Sequence, residues 1–329
     1  MQETKIGTNE AGQRLDKFLQ KYMPLAPVSF FYKMLRKKNI TLNGKKAQGN
    51  EKLMEGDQVR FFLSEETIQR FRESLPDIKE YEAAFRKLKG ISVLYEDDHI
   101  LVMNKPAGIL SQKAGAGDLS LNEWMIGCLL ESGALEQSQL STYKPSVCNR
   151  LDRNTWGLVI GAKSLPGSQE MNRLISAHAI GKYYRMLVKG RVDREETLEG
   201  YLIKDEKTNK VSLSMKGSED ASFIKTRYYP VRHLSDKTLV EAQLITGKTH
   251  QIRIHLAQAG HPLLGDYKYG DKKWNDGYKN KYGIDSQLLS ACRLEFPSME
   301  EPFGKLSRKV ITAPLPEIFQ RLISESRKA

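Results

Sequence analysis

Only three cysteines occur in 329 residues, at positions 128, 148 and 292. An odd number at such separations gives neither the paired spacing of a zinc site nor the density of a disulfide scaffold. We read them as reduced, buried thiols, with Cys148 packing as a small hydrophobe. No run of about 18 apolar residues is present, so no membrane-spanning helix is expected. Residues 1–10 carry no apolar stretch like that of a secretory signal, and the expectation is a soluble cytoplasmic protein. Glycine is missing where nucleotide chemistry needs it. Gly247-Lys248-Thr249 looks like the end of a phosphate loop, but Ala242 stands where that loop requires its first glycine. Gly115-Ala116-Gly117 lacks the third glycine of a dinucleotide site and reads as a flexible loop. His250, His255 and His261 are five and six residues apart, so they do not share one helix face, and no metal site is expected. No internal repeat or low-complexity tract is apparent.

Acidic side chains are in deficit: 52 Lys plus Arg stand against 40 Asp plus Glu, a net charge of +12, with an isoelectric point near 9.4. Such a surplus points to a polyanionic partner, and without a membrane segment nucleic acid is the better candidate. Half of the surplus lies in residues 1–63, which hold 12 basic and 6 acidic side chains. There Lys33, Arg36, Lys37, Lys38, Lys45 and Lys46 follow one another with no acidic residue between them. Leu15, Phe18, Leu19 and Tyr22 recur at i, i+3, i+4 and i+7, which predicts an amphipathic helix, and a second helix is expected over 29–36. Asn43-Gly44 suits a tight hairpin turn, because both positions tolerate positive φ. A short strand is expected over 58–63. Residues 64–89 balance 6 acidic against 6 basic side chains around Pro76, and read as a charged linker with helical pieces. Beyond them, residues 99–103, 157–162, 183–188 and 237–245 are strand-like runs with helical patterns between, giving a mixed α/β body. Residues 250–259 predict a helix that stops at Gly260. The length suits about two domains.

The candidate for chemistry is Asp152, flanked by Arg150 and Arg153 in the segment Asn149-Arg150-Leu151-Asp152-Arg153-Asn154-Thr155-Trp156-Gly157. A carboxylate kept ionised by guanidinium groups can attack an electrophilic carbon. The plain alternative is a surface ion pair contributing about 0–1 kcal/mol. No second acidic residue appears in this segment or in those around Tyr184 and Arg253, so a glycosidase-like carboxylate pair is not expected.

Four segments in order carry a more specific signal. Residues 96–108 end in Lys105-Pro106-Ala107-Gly108, residues 149–157 contain Asp152, and residues 182–190 begin Lys182-Tyr183-Tyr184. Residues 246–256 read Thr246-Gly247-Lys248-Thr249-His250-Gln251-Ile252-Arg253-Ile254-His255-Leu256 and are followed by Gly260-His261-Pro262-Leu263-Leu264-Gly265-Asp266. Over roughly residues 90–329 these resemble the pseudouridine synthases of the RluA branch. Two positions depart from that pattern: Asn149 stands for the usual His and Trp156 for the usual Ser. Residues 14–16, 40–44 and 56–59 resemble the small RNA-binding domain named after ribosomal protein S4.

The resemblance implies a mixed α/β (α+β) fold: a largely antiparallel catalytic domain at 90–329, a linker at 64–89 and a small α+β S4-like RNA-binding domain at 1–63. It implies an isomerase acting on RNA, which breaks the N1–C1′ bond of uridine, turns the base and rejoins it through C5. Atoms neither enter nor leave, so no redox cofactor, nucleotide or metal is expected. Asp152 would be the anion, as nucleophile at C1′, as nucleophile on the ring, or as base. Tyr184 would pack on the uracil and could accept a proton at C5. Arg253 would hold Asp152 by two hydrogen bonds. Arg150 would act near the displaced base, Arg153 would touch phosphate or form an ion pair, and Tyr183 would face the other side of its strand. Lys33, Arg36, Lys37, Lys38, Lys45 and Lys46 would bind RNA. Large-subunit ribosomal RNA is the first expectation for substrate and transfer RNA the second, with the protein a monomer. A catalytically silent RNA-binding or ribosome-assembly protein is the rival from another class.

Overall fold

The apolar stripe of the first helix decides the N-terminal unit. In the computed structural model, which describes residues 1–72, 75–205, 210–214 and 221–325, Leu15, Phe18 and Leu19 of helix Leu15–Tyr22 are buried. They meet Phe31, Met34 and Leu35 of helix Val28–Arg36 in a core of their own. These helices cover a four-stranded antiparallel sheet in the order Gln2–Lys5, Gln58–Phe61, Ile40–Leu42, Lys45–Lys46. Asn43 at φ 51° and Gly44 at φ 72° turn the hairpin, as the dipeptide requires.

The charged segment after this unit is shared between two cores. Ser64 caps helix Glu65–Phe71 by accepting from the Thr67 N–H at 3.2 Å, and Ile68 is buried in the small core. Helix Lys79–Lys87 places Tyr81 and Ala84 in the large core. There it lies so close to helix Leu121–Glu131 that a Cβ on Gly127 would stand 2.2 Å from the Tyr81 carbonyl oxygen. Glu10 ties the units together by accepting from the Thr142 hydroxyl at 2.7 Å.

Among the described residues the body is built on one eleven-stranded sheet. Its main path runs Lys210–Ser214, Glu196–Asp205, Ser222–His233, Lys237–Leu244, Gly181–Lys189, Leu289–Glu295, Trp156–Ala162, Ile100–Lys105, Ser92–Glu96. Neighbours are antiparallel except at the junction of Leu289–Glu295 with Trp156–Ala162, which is parallel. That junction needs Gly157, whose φ is 111° and whose Cβ would lie 2.1 Å from the Ala291 carbonyl oxygen. Alternation buries both faces: Tyr184, Met186 and Val188 join the core that includes helices Leu121–Glu131 and Gln251–Gln258. Leu187 and Leu239 pack on the opposite side with Phe319 and Leu322 of helix Glu317–Glu325. The mixed, largely antiparallel architecture is as expected. Among the described residues, no helix is long and apolar enough to cross a membrane.

Candidate active site

Asp152 lies on the loop entering strand Trp156–Ala162, and the backbone on both sides of it is pinned. Ser111 accepts from the Leu151 N–H and donates to the Leu151 carbonyl, both at 2.9 Å. Lys105 donates to the carbonyl oxygens of Arg153, Pro106 and Ile109 at 3.0, 2.9 and 2.8 Å. Burial pushes the Lys105 amine down to about 7, against the opposing pull of Asp152. The Asp152 side chain, 27% exposed, lines a cavity of about 550 Å³ together with Arg150, Tyr184, His250 and Arg253.

Arg253 does not hold Asp152 as expected. Its Nε and Nη2 meet Asp266 Oδ2 and Oδ1 at 2.7 and 2.9 Å, and only Nη1 reaches Asp152 Oδ2, at 3.2 Å. The fork follows the more deeply buried carboxylate, since Asp266 is 1% exposed and an unpaired charge there would cost far more than one facing the cavity. Burial alone would raise the Asp266 pKa. Hydrogen bonds from Arg253 and from the Lys268 and Tyr269 backbone N–H groups override it and hold the carboxyl below its ordinary value. Nor do the arginines beside Asp152 in sequence pair with it among the described residues. Arg153 Nε donates to the Gly108 carbonyl at 3.1 Å, and Arg150 is exposed at the cavity wall.

Tyr184, on strand Gly181–Lys189, is 7% exposed. It stands between Ala242 and Ala291 on the neighbouring strands, where small side chains leave room for its ring. Burial, then the Asp152 charge, raises its phenol well above the ordinary value. Tyr183 faces the other way, under Arg293 at 3.7 Å and donating to Glu295 at 2.9 Å.

The three histidines weighed as a metal cluster go to separate places. His250 Nε2 is 3.7 Å from Asp152 Oδ2, His255 Nδ1 meets the Thr226 hydroxyl, and His261 Nδ1 meets the Lys189 carbonyl. Sequence reasoning therefore missed two site residues, Asp266 and His250. His250 stood in the fourth motif segment and Asp266 at the end of the run that follows it. The six basic residues of the N-terminal unit are exposed, lie outside the cavity lining and form no ion pairs among the described residues.

Residues 99–258 match the RNA pseudouridylate synthase family. Ribosomal large subunit pseudouridine synthase C of Vibrio cholerae is 31% identical over 339 residues, covering 98% of this chain and 96% of that protein. The protein of the same name in Escherichia coli is 30% identical over 331 residues, with the same coverage. The chain belongs to the RNA pseudouridylate synthase family. Its members are isomerases that convert uridine to pseudouridine in RNA. The structure of human RNA pseudouridylate synthase domain containing 4 matches 75% of this synthase and 97% of its own chain, at 21% identity and a TM-score of 0.60, so the two share a fold.

The two departures from the family pattern find structural explanations in the synthase. Asn149 Oδ1 accepts from the Ile160 N–H at 2.7 Å, supporting the strand behind the loop. Trp156 does not line the cavity. Its ring meets Phe319 at 6.1 Å and 88°, on the other face of the sheet.

Proposed function

We propose that this synthase isomerises uridines of large-subunit ribosomal RNA, acting as a cytoplasmic monomer without a cofactor. Asp152 is the anion at the reacting nucleotide, Arg253 holds it, Tyr184 packs against the uracil and Arg150 acts near the displaced base. The large-subunit target rests on the names of the two bacterial relatives, which align along nearly their whole length.

The observation that carries the residue assignment is a single accessible carboxylate on a cavity wall. Both of its nitrogen-bearing neighbours, Arg253 and His250, approach Oδ2. Asp266 is absent from the cavity lining and occupied by Arg253, so it offers no partner for hydrolysis by an acid-base pair. A uridine stacked in RNA must leave its stack to reach Asp152, at a cost of a few kcal/mol. Lys182, Lys248 and Arg150 at the cavity favour the incoming backbone. Residues 1–63 form the RNA-binding unit, with helix Glu65–Phe71 closing its core. The catalytic body begins with helix Lys79–Lys87, earlier than residue 90.

Forming the new bond at C5 releases the hydrogen held there, so RNA labelled with tritium at C5 reports turnover directly. Large-subunit RNA lacking modifications should release tritium to water with the wild-type protein. With Asp152→Asn, release should fall below about one thousandth of that rate, because an amide of the same shape supplies no anion. Release from transfer RNA alone would move the target, and release from neither RNA would leave the silent RNA-binding rival.

A further inference from the structure

Two side chains converge on one oxygen of Asp152. Arg253 Nη1 lies 3.2 Å from Oδ2 and His250 Nε2 lies 3.7 Å from the same atom. His250 occupies the left-handed position, φ 58°, that opens helix Gln251–Gln258. Its Nδ1 is 2.9 Å from the Tyr269 hydroxyl, and the two rings meet edge-on at 5.5 Å and 64°. The Tyr269 N–H donates to Asp266 Oδ1 at 3.1 Å, and Asp266 binds Arg253. A closed circuit thus runs from Asp152 through Arg253, Asp266, Tyr269 and His250 back to Asp152.

The circuit fixes the imidazole's tautomer. With the proton on Nδ1, the Nε2 lone pair would point at a carboxylate, which is repulsive. With the Tyr269 hydroxyl donating to Nδ1, the N–H sits on Nε2 and faces Asp152. Burial keeps the Tyr269 phenol protonated, since it raises that group's pKa. Burial also lowers the His250 pKa; Asp152 and Asp266 oppose that shift, while Arg253 and Lys268 reinforce it. Burial, the largest of these influences, favours the neutral ring.

We propose that His250, as the Nε2–H tautomer set by the Tyr269 hydroxyl, is a positioning residue that shares Oδ2 of Asp152 with Arg253 and so leaves Oδ1 to the bound nucleotide. The inference rests on the assignment of Asp152 as the reacting carboxylate. At 3.7 Å the contact is longer than a hydrogen bond, and contacts of this kind tighten when substrate closes the site.

The test uses the full chain, single turnover and large-subunit RNA transcript labelled with tritium at C5. His250→Leu removes the donor, His250→Gln restores an N–H near the Nε2 position, and Tyr269→Phe removes only the hydroxyl that sets the tautomer. Losing one hydrogen bond to a charged group should slow His250→Leu about 10-fold or more at saturating RNA. Half-saturation should stay within about 2-fold, as for a group that acts on the reaction rather than on binding. His250→Gln should recover much of the rate and Tyr269→Phe should fall between. Wild-type rate in His250→Leu, equal losses in the Leu and Gln variants, or a loss confined to half-saturation would each overturn the proposal. Nitrogen NMR of histidine-labelled protein, assigned by the signal missing from His250→Gln, should show a neutral ring protonated at Nε2. A proton on Nδ1, or a charged ring at neutral pH, would overturn it without any turnover measurement. Asp152→Asn is run beside these variants. If it stays active, the assignment of Asp152 fails; if it is dead while His250→Leu runs at full rate, only the inference about His250 fails.

Discussion

Arg253 meets Asp266 edge to edge through Nε and Nη2 and offers Asp152 only Nη1. The guanidinium is thereby locked by a buried anion before it touches the cavity carboxylate. A pre-organised donor of this kind needs little rearrangement at the moment of reaction.

Asp266→Asn should therefore damage both stability and rate. The amide keeps the shape but turns an acceptor into a donor facing Arg253, and breaking a buried pair from one side costs about 3–5 kcal/mol. Urea unfolding measures the loss, and a change within about 0.5 kcal/mol, the size expected at an ordinary surface position, would rule the lock out. The sign of the pH effect follows from the lowered carboxyl pKa. The stabilisation is present above the unfolded carboxylate value of about 3.9 and is lost as pH falls through the lower folded value.

Arg253→Lys retains the charge and loses the fork. One ammonium cannot reproduce the two contacts to Asp266 and still reach Asp152 with the same geometry. A lower single-turnover rate with little change in RNA affinity is expected. An unchanged rate would remove Arg253 from the site.

What was legible in the sequence follows from what a motif can encode. Asp152, Tyr184 and Arg253 were marked by motif segments, and the structure brings them to one cavity across gaps of tens of residues. Which carboxylate Arg253 prefers depends on the depth of burial of Asp266, and burial is decided by packing that no local pattern displays. His250 was weighed only for metal spacing, whereas its place beside Asp152 depends on a left-handed residue at a helix start. Helix Lys79–Lys87 lies in the segment read as a charged linker with helical pieces, and its charges conceal the pair Tyr81 and Ala84, three apart, that enters the large core. Trp156 could face either side of its strand, and the sequence does not say which side is the cavity.

Lys105 provides a test on the alkaline side. Burial pushes its folded pKa to about 7, against about 10.4 for an unfolded lysine. Between those values the unfolded chain binds the extra proton, so the contribution to stability rises with pH and is complete only above the unfolded value. The stability difference between wild type and Lys105→Met should therefore grow in favour of wild type from about pH 7 to about pH 10, read by urea midpoints at each pH. A difference flat with pH would mean that the three carbonyl acceptors fully offset the burial.

Trp156→Ser restores the residue that the family pattern carries. The ring packs on Phe319 and away from the cavity and is only partly buried, so the change should cost about 2 kcal/mol of stability, less than the roughly 3–5 kcal/mol for a fully buried large aromatic side chain. Turnover and the choice of uridine should be unchanged. Modification at new positions in RNA treated with this variant would show that the ring reaches the substrate after all.

The last test separates binding from chemistry. Lys37, Lys38, Lys45 and Lys46 are exposed on the N-terminal unit, lie outside the cavity lining and form no ion pairs among the described residues. Their charges are thus free to neutralise phosphates. Replacing all four by Gln leaves the buried residues of the small core in place. Each lost phosphate contact should flatten the plot of log affinity against log salt by about 0.9 on duplex or about 0.7 on single-stranded RNA, to a total of about 3 if all four make contact. Affinity at low salt should fall accordingly. Turnover at saturating RNA should change far less, because Arg150, Asp152, Tyr184 and Arg253 are untouched. If affinity and salt slope both match the wild-type protein, the lysines form an ordinary solvated face and the RNA is held by the body alone.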